Sequence, residues 1–305
     1  MAQSMVDLAT DFLNSGFVDL GVVLDNQACV DLLRQIYQTR KFDPDLFIDE
    51  DQHKKNPRWT KNNPGPGINL TEKFDLDFIE KSEPFQNAMT RILGPNYKIM
   101  LKKFIVGVPN DWLPKWVHEE TKDQMIANLG AYIKPDYQDM TYFRGIDFHQ
   151  DLIDHKSRTS DFITLYVYLD NVEMDMSPLV VIPKSHIFGA TTVPHDLKSL
   201  GGNKILYNDR KGKSKEFNSK MLIGAVGSVF FWSQYNLHGT MPTSITNTPR
   251  VSLRYLIERG KSTEDCIINK FLKTIDAPLS IKITKEEEVE HGYAEGSKLL
   301  KPKEQ

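Results

Sequence analysis

His149, Gln150 and Asp151 place an imidazole and a carboxylate two residues apart. On an extended strand such residues share a face, so the two side chains can take adjacent positions around one metal ion. A third ligand has to come from elsewhere in the chain. His238 is the leading candidate, because it follows the apolar run Ser228-Val229-Phe230-Phe231-Trp232 and precedes Gly239, which permits a close turn. Two imidazoles and one carboxylate leave three coordination positions open on one side of the metal.

Such an open-faced set is the facial triad of non-haem Fe(II) oxygenases. His-x-Asp alone is a weak signal, and a single pair is more often structural. Arg250 strengthens it. It stands at the head of the strand after His238, where a fixed guanidinium can hold a carboxylate with two hydrogen bonds. Ser252 shares its face, and Thr240 lies two residues past His238. A hydroxyl beside a guanidinium suits a dicarboxylate co-substrate.

Other residues compete for these roles. His118-Glu119-Glu120 repeats the His/carboxylate spacing, but in a Trp- and Pro-containing loop where carboxylates are usually solvated. His155 and His195 each neighbour an aspartate, which surface pairing explains more simply. His186 fits a structural role, bonding a backbone carbonyl near a turn. His53 and His291 lie in charged surface sequence. Trp232, Tyr166 and Tyr168 could line a substrate cavity, but aromatics on strands are more often core. Arg254 shares the face of Arg250 and Ser252 if the strand is regular. We assign it to pairing with a carboxylate at a barrel rim rather than to substrate.

The elements that must position these residues follow from periodicity. Residues 1–40 read as helical, with Asn26 capping a helix over Gln27–Thr39. Residues 41–70 are polar and turn-rich, ending in Asn62-Asn63-Pro64-Gly65-Pro66-Gly67. A helical pattern over about 75–92 stops at Gly94-Pro95. Strands are expected at Tyr97–Val108, Gln124–Lys134, Phe162–Asp170, Leu179–Pro183, Gly227–Phe231 and Arg250–Glu258. The polar stretch Thr191–Lys220 reads as a solvated excursion, with a lid as the sharper alternative. A charged tail begins near residue 280. The fold class is mostly β with flanking helices, in one domain spanning 1–305.

The 305 residues are 40% hydrophobic and 26% charged, with a formal net charge of -3. That composition supports a sizeable core and disfavours a nucleic-acid binder, which would carry a basic field. No run of about 18 apolar residues predicts a membrane span. The first basic residue is Arg34, so no secretory or mitochondrial leader is expected. Cys29 and Cys266 cannot build a disulfide framework. A cytoplasmic protein with a small-molecule substrate is expected, without nucleic-acid or membrane partners. The sequence carries no sign of oligomeric state.

Four ordered pieces resemble the phytanoyl-CoA dioxygenase family of Fe(II)/2-oxoglutarate oxygenases. They are Gly94-Pro95-Asn96, then His149-Gln150-Asp151, then Ser177-Pro178-Leu179-Val180-Val181-Ile182-Pro183-Lys184-Ser185-His186, and last Gly227 through His238-Gly239-Thr240 to Pro249-Arg250. The resemblance covers about 94–258, with a helical part before it (1–93) and a C-terminal extension after it (259–305). Lys184 stands where the family commonly has glycine.

The resemblance implies a double-stranded β-helix, or jelly-roll, core preceded by an N-terminal helical segment. It implies iron bound by His149, Asp151 and His238. It implies the C5 carboxylate of 2-oxoglutarate on Arg250, helped by Thr240, with Lys103 a further co-substrate contact and Tyr132 and Val167 flanking the iron. The implied reaction consumes O2, with ascorbate as an optional reductant. It hydroxylates a small metabolite and releases succinate and CO2. Asp151 favours this over halogenation, because halogenases of the superfamily lack the carboxylate. Desaturation or ring formation are variants of the same chemistry. The alternative is a cupin-like metal- or ligand-binding barrel without 2-oxoglutarate, which would have no need of Arg250 with Thr240. A nucleic-acid dealkylase would need a basic groove with stacking aromatics. Segments 50–70, 109–123, 136–147 and 191–220 are expected to close over the iron.

Overall fold

The structure is a computed structural model that describes residues 5–55, 68–124, 126–151, 161–189, 195–208, 212–240, 247–260, 266–275, 293–295 and 298–300. In chain order the chain forms α1 (Met5–Ser15), β1 (Phe17–Val22), α2 (Asn26–Thr39), α3 (Glu50–Lys55), α4 (Asp77–Glu80) and α5 (Glu83–Leu93). Then come β2 (Lys98–Gly107), α6 (Lys115–Thr121), β3 (Ile126–Asn128), β4 (Thr141–Ile146), β5 (Phe162–Tyr168) and β6 (Leu179–Val181). The chain continues through β7 (Asp196–Gly201), β8 (Lys204–Asn208), β9 (Ser214–Asn218), β10 (Lys220–Leu222), β11 (Ser228–Ser233), β12 (His238–Thr240), β13 (Arg250–Glu258) and α7 (Ile267–Leu272). A short hairpin of β14 (Tyr293–Glu295) and β15 (Lys298–Leu300) follows.

A large mixed sheet runs β1-β11-β5-β13-β2-β4-β3, antiparallel except for the parallel pair β2 and β4. A second sheet, β10-β6-β12, carries Leu179, Val181 and Leu222 against Tyr166, Tyr168, Phe230 and Trp232 of the large one. Two sheets joined through alternating inner residues are consistent with a jelly roll. The opposite face of the large sheet is covered by helices. Phe12 of α1, Met89 and Ile92 of α5 and Phe271 of α7 join Leu165, Val167, Phe231, Leu253 and Tyr255 in the main core.

Local chemistry explains the helix ends. Ser82 caps α5 by accepting from the Phe85 N–H, and the helix stops at Gly94, whose φ of 91° suits glycine. The cap of α2 is Asp25, one residue before the expected Asn26, accepting from the Ala28 N–H.

Three expectations are corrected. Residues 1–40 are not helical throughout: β1 pairs with β11 at the sheet edge, separated from α1 by Gly16 at φ 67°. The expected strand Gln124–Lys134 reduces to Ile126–Asn128 before a 3-10 turn at Gly130–Tyr132. The polar stretch 191–220 contains the three-stranded meander β7-β8-β9 rather than a bare loop. Its Tyr207 and Phe217 are buried against Ile182 and Leu237. The turn-rich run 62–67, His155, His291 and most of the charged tail lie outside the described residues.

Candidate metal centre

His149 and His238 are neighbours across an isolated antiparallel bridge, exchanging backbone hydrogen bonds of 2.9 and 3.0 Å. Their rings lie 4.3 Å apart. Each histidine is oriented in the same way. His149 Nδ1 is 2.9 Å from the Asp147 carbonyl oxygen, and His238 Nδ1 is 3.0 Å from that of Asn236. Nδ1 therefore carries the proton and donates it, which leaves the Nε2 lone pair for a metal. Asp151 completes the group, and one ligand atom from each of the three lies within 4.8 Å of the others. All three residues are buried. Two imidazole nitrogens and a carboxylate oxygen fit a divalent transition metal. The pair 149/151 does not sit on a continuous strand, as the spacing suggested. His149 forms the bridge, and Asp151 lies outside the strand in 3-10 conformation.

Asp151 is entirely buried and richly bonded. Arg254 donates to Oδ1. Thr164 Oγ1 donates to Oδ2 at 2.5 Å, and Trp232 Nε1 donates to the same oxygen at 3.0 Å. Burial alone would push this carboxyl's pKa up. The Arg254 guanidinium is the largest of the influences that oppose burial, and together they hold it well below the usual carboxylate range. The indole of Trp232 stacks on Tyr166 at 5.3 Å and lies 4.8 Å from the His238 ring.

Sequence reading missed Thr164 and placed Trp232 in the core. The available signal was register: Trp232 pairs with Thr164, and Tyr166 pairs with Arg254, so four polar or amphipathic side chains share the inner face. Arg254 does pair with a carboxylate, as expected, but its partner is the candidate metal ligand itself.

Arg250 sits on the same inner face of β13, only 3% exposed. Its Nη1 donates to Ser252 Oγ at 3.1 Å, while Nε has no hydrogen-bond partner. Among the described residues it makes no ion pair. The guanidinium lies over Gly107, where an added Cβ would stand 3.4 Å from Nε. A buried cation of this kind favours an anionic partner. Thr240 follows His238 on β12, and its Oγ1 accepts from the Ile146 N–H at 2.9 Å, which leaves the hydroxyl hydrogen to donate. Lys103 is buried on β2, opposite Arg254 in register and on the same face.

Val167 does stand on β5, the strand whose Thr164 bonds Asp151, but its side chain points to the helix-covered side. Tyr132 is corrected: it lies in a 3-10 turn of the main core beside His53 and Trp116, not on a strand. The rival His118 belongs to helix α6, with Glu119 paired to Lys122 and Glu120 to His53. His186 packs on Phe271 at 4.6 Å, and burial lowers its pKa to about 4.

No family model and no curated protein matches the chain. Solved structures do. EvdO2 from Micromonospora carbonacea var. aurantiaca aligns over 87% of this chain and 96% of its own at 16% identity, with a TM-score of 0.50. That likeness shows a shared fold. The epimerase SnoN, in complex with Fe3+, alpha ketoglutarate and nogalamycin RO, aligns over 84% of this chain and 83% of its own at 12% identity and a TM-score of 0.49. EctD from S. alaskensis with bound Fe aligns over 83% and 76% at 12% identity and a TM-score of 0.46.

Proposed function

We propose that the protein is an Fe(II)- and 2-oxoglutarate-dependent oxygenase of the phytanoyl-CoA dioxygenase type, hydroxylating a small-molecule metabolite. The observation that carries this reading is the convergence of His149, Asp151 and His238, with both histidine Nδ1 atoms tied to backbone carbonyls. Bound iron and 2-oxoglutarate supply the oxidising chemistry, with O2 consumed and succinate and CO2 released. The chain's own work is to hold and orient. His149 Nε2, His238 Nε2 and one Asp151 oxygen would hold the metal with three donors. Arg250, with Ser252 and the Thr240 hydroxyl beside the metal strand, binds the distal carboxylate of the co-substrate. Lys103 is a further candidate contact. The filled cluster of Tyr168, Phe230, Leu179 and Leu222 between the sheets excludes water from one side of the centre.

The whole chain acts as one unit in this reading, a jelly-roll core with its helices and C-terminal extension. Cys29 and Cys266 are both buried thiols outside any disulfide, which suits a reducing cytoplasm. Burial, with Asp25 nearby, pushes the Cys29 thiol up to about 11, so it is no nucleophile at neutral pH. No helix among the described residues is long and apolar enough to cross a membrane.

The direct test is uncoupled turnover. With Fe(II), O2, ascorbate and 2-oxoglutarate, the protein should release succinate without added substrate, and the His238→Ala variant should release none. Metal binding without succinate formation would point to a cupin-like barrel instead.

A further inference from the structure

We infer that Arg254 is a positioning residue of the metal centre: it pins one oxygen of Asp151, so that the carboxylate offers the metal only the other. This rests on the proposed reading of His149, Asp151 and His238 as metal ligands. The two oxygens of Asp151 have different surroundings. Oδ1 is held by the Arg254 guanidinium. Oδ2 faces His238 Nε2 at 3.4 Å. Thr164 Oγ1 and Trp232 Nε1 bond that same Oδ2 and fix the rotation of the carboxylate. Arg254 can reach Oδ1 because β13 is regular there, in register with Tyr166 on one side and Lys103 on the other.

Affinity alone does not explain a buried cation at this place. A guanidinium beside a divalent-metal site repels the metal, and in a buried setting that repulsion is poorly screened. Its useful effect is on ligand number. A carboxylate that chelates through both oxygens fills two coordination positions. With Oδ1 held it fills one, and three protein ligands then leave three positions for a chelating co-substrate and O2. The neutral donors on Oδ2 do not block that oxygen's role, since hydrogen-bonded carboxylates are normal metal ligands.

The test uses the full-length protein with Co(II) as an anaerobic iron substitute. Infrared difference spectra of wild type with 13C-labelled aspartate, Co(II)-loaded minus metal-free, should show the wide separation of carboxylate stretches that marks one-oxygen ligation. A narrow separation would overturn the proposal, and this measurement needs no variant to fold. In parallel, Arg254→Met should change the visible Co(II) absorbance by about twofold or more, because geometry governs that band. Arg254→Lys, which keeps a cation at Oδ1, should restore the wild-type band. Trp232→Phe, which removes a donor from Oδ2 and leaves Oδ1 pinned, should weaken Co(II) binding by about tenfold. An unchanged band in Arg254→Met, with only thermal stability lost, would reduce Arg254 to neutralising a buried charge. Wild type that binds no Co(II) would overturn the metal reading as well, whereas binding with two-oxygen ligation would overturn the role of Arg254 alone.

Discussion

Strand β13 has two faces, and both are buried, yet they do opposite things. Val251, Leu253, Tyr255 and Ile257 point outward into the helix-covered core. Arg250, Ser252 and Arg254 point inward, where Arg254 meets the Asp151 carboxylate and Arg250 makes no ion pair among the described residues. Polar alternation on a strand usually marks solvent exposure. Here it marks a site enclosed between two sheets. The outer face holds the sheet to its helices, and the inner face carries charge that needs a partner.

Substitutions can separate the two faces, and the largest effect belongs to the inner one. His238→Ala should weaken metal binding by at least about 100-fold, measured by chelator competition, while leaving the fold intact, because ligands matter more than their outer-shell partners. Arg250→Ala should raise the half-saturating 2-oxoglutarate concentration by about 10- to 100-fold with metal affinity unchanged, as expected for a lost charged hydrogen-bond pair. An unaltered requirement would remove Arg250 from the co-substrate site. On the outer face, Leu253→Ala should cost about 2–5 kcal/mol in denaturant unfolding. Metal affinity per folded molecule should not move.

Histidine 186 sharpens the contrast further, as a buried histidine with no metal role. It titrates near 6.5 in the unfolded chain and at about 4 in the fold, because burial disfavours its charged form. Its depressed pKa means that stability is complete above about pH 6.5 and is lost as pH falls toward 4, by about 3 kcal/mol in total. Unfolding curves at several pH values should show this fall in wild type and a flatter profile in His186→Gln. The smallest effects are backbone ones. Ser177 and Lys184 adopt positive φ values of 51° and 71° on either side of β6. Glycine at either position should stabilise by about 1 kcal/mol, since L side chains are strained there. Thermal melts would check this, and metal affinity should be unchanged.

The convergence of the candidate metal-site residues was legible because ligation needs particular residue types. His149, Asp151 and His238 have few substitutes, and the glycine-permitting turn at Gly239 narrowed the choice further. Strand β13 was legible to the residue, since its alternation is long and continuous. Lys184 adopts the left-handed conformation at φ 71°, which strains an L side chain. Strand β1 was not legible, because an edge strand placed between two helices is defined by its partner β11 and not by its own composition. Nor were Thr164 and Trp232. Their role depends on register with β5 and on the approach of Asp151, which no local pattern encodes. The meander β7-β9 hid behind its exposed lysines, with buried Tyr207 and Phe217 and the half-buried Leu197 and Ile205 anchoring it.

The central claim is that one site holds both a metal and a dicarboxylate. The most direct measurement is anaerobic titration of the Fe(II)-loaded protein with 2-oxoglutarate, followed by visible absorption. A weak charge-transfer band near ~500 nm, expected for such a chelate on an open-faced triad, should grow to saturation in wild type and need far more 2-oxoglutarate in Arg250→Ala. Iron bound at the triad with no band at any 2-oxoglutarate concentration would contradict the claim.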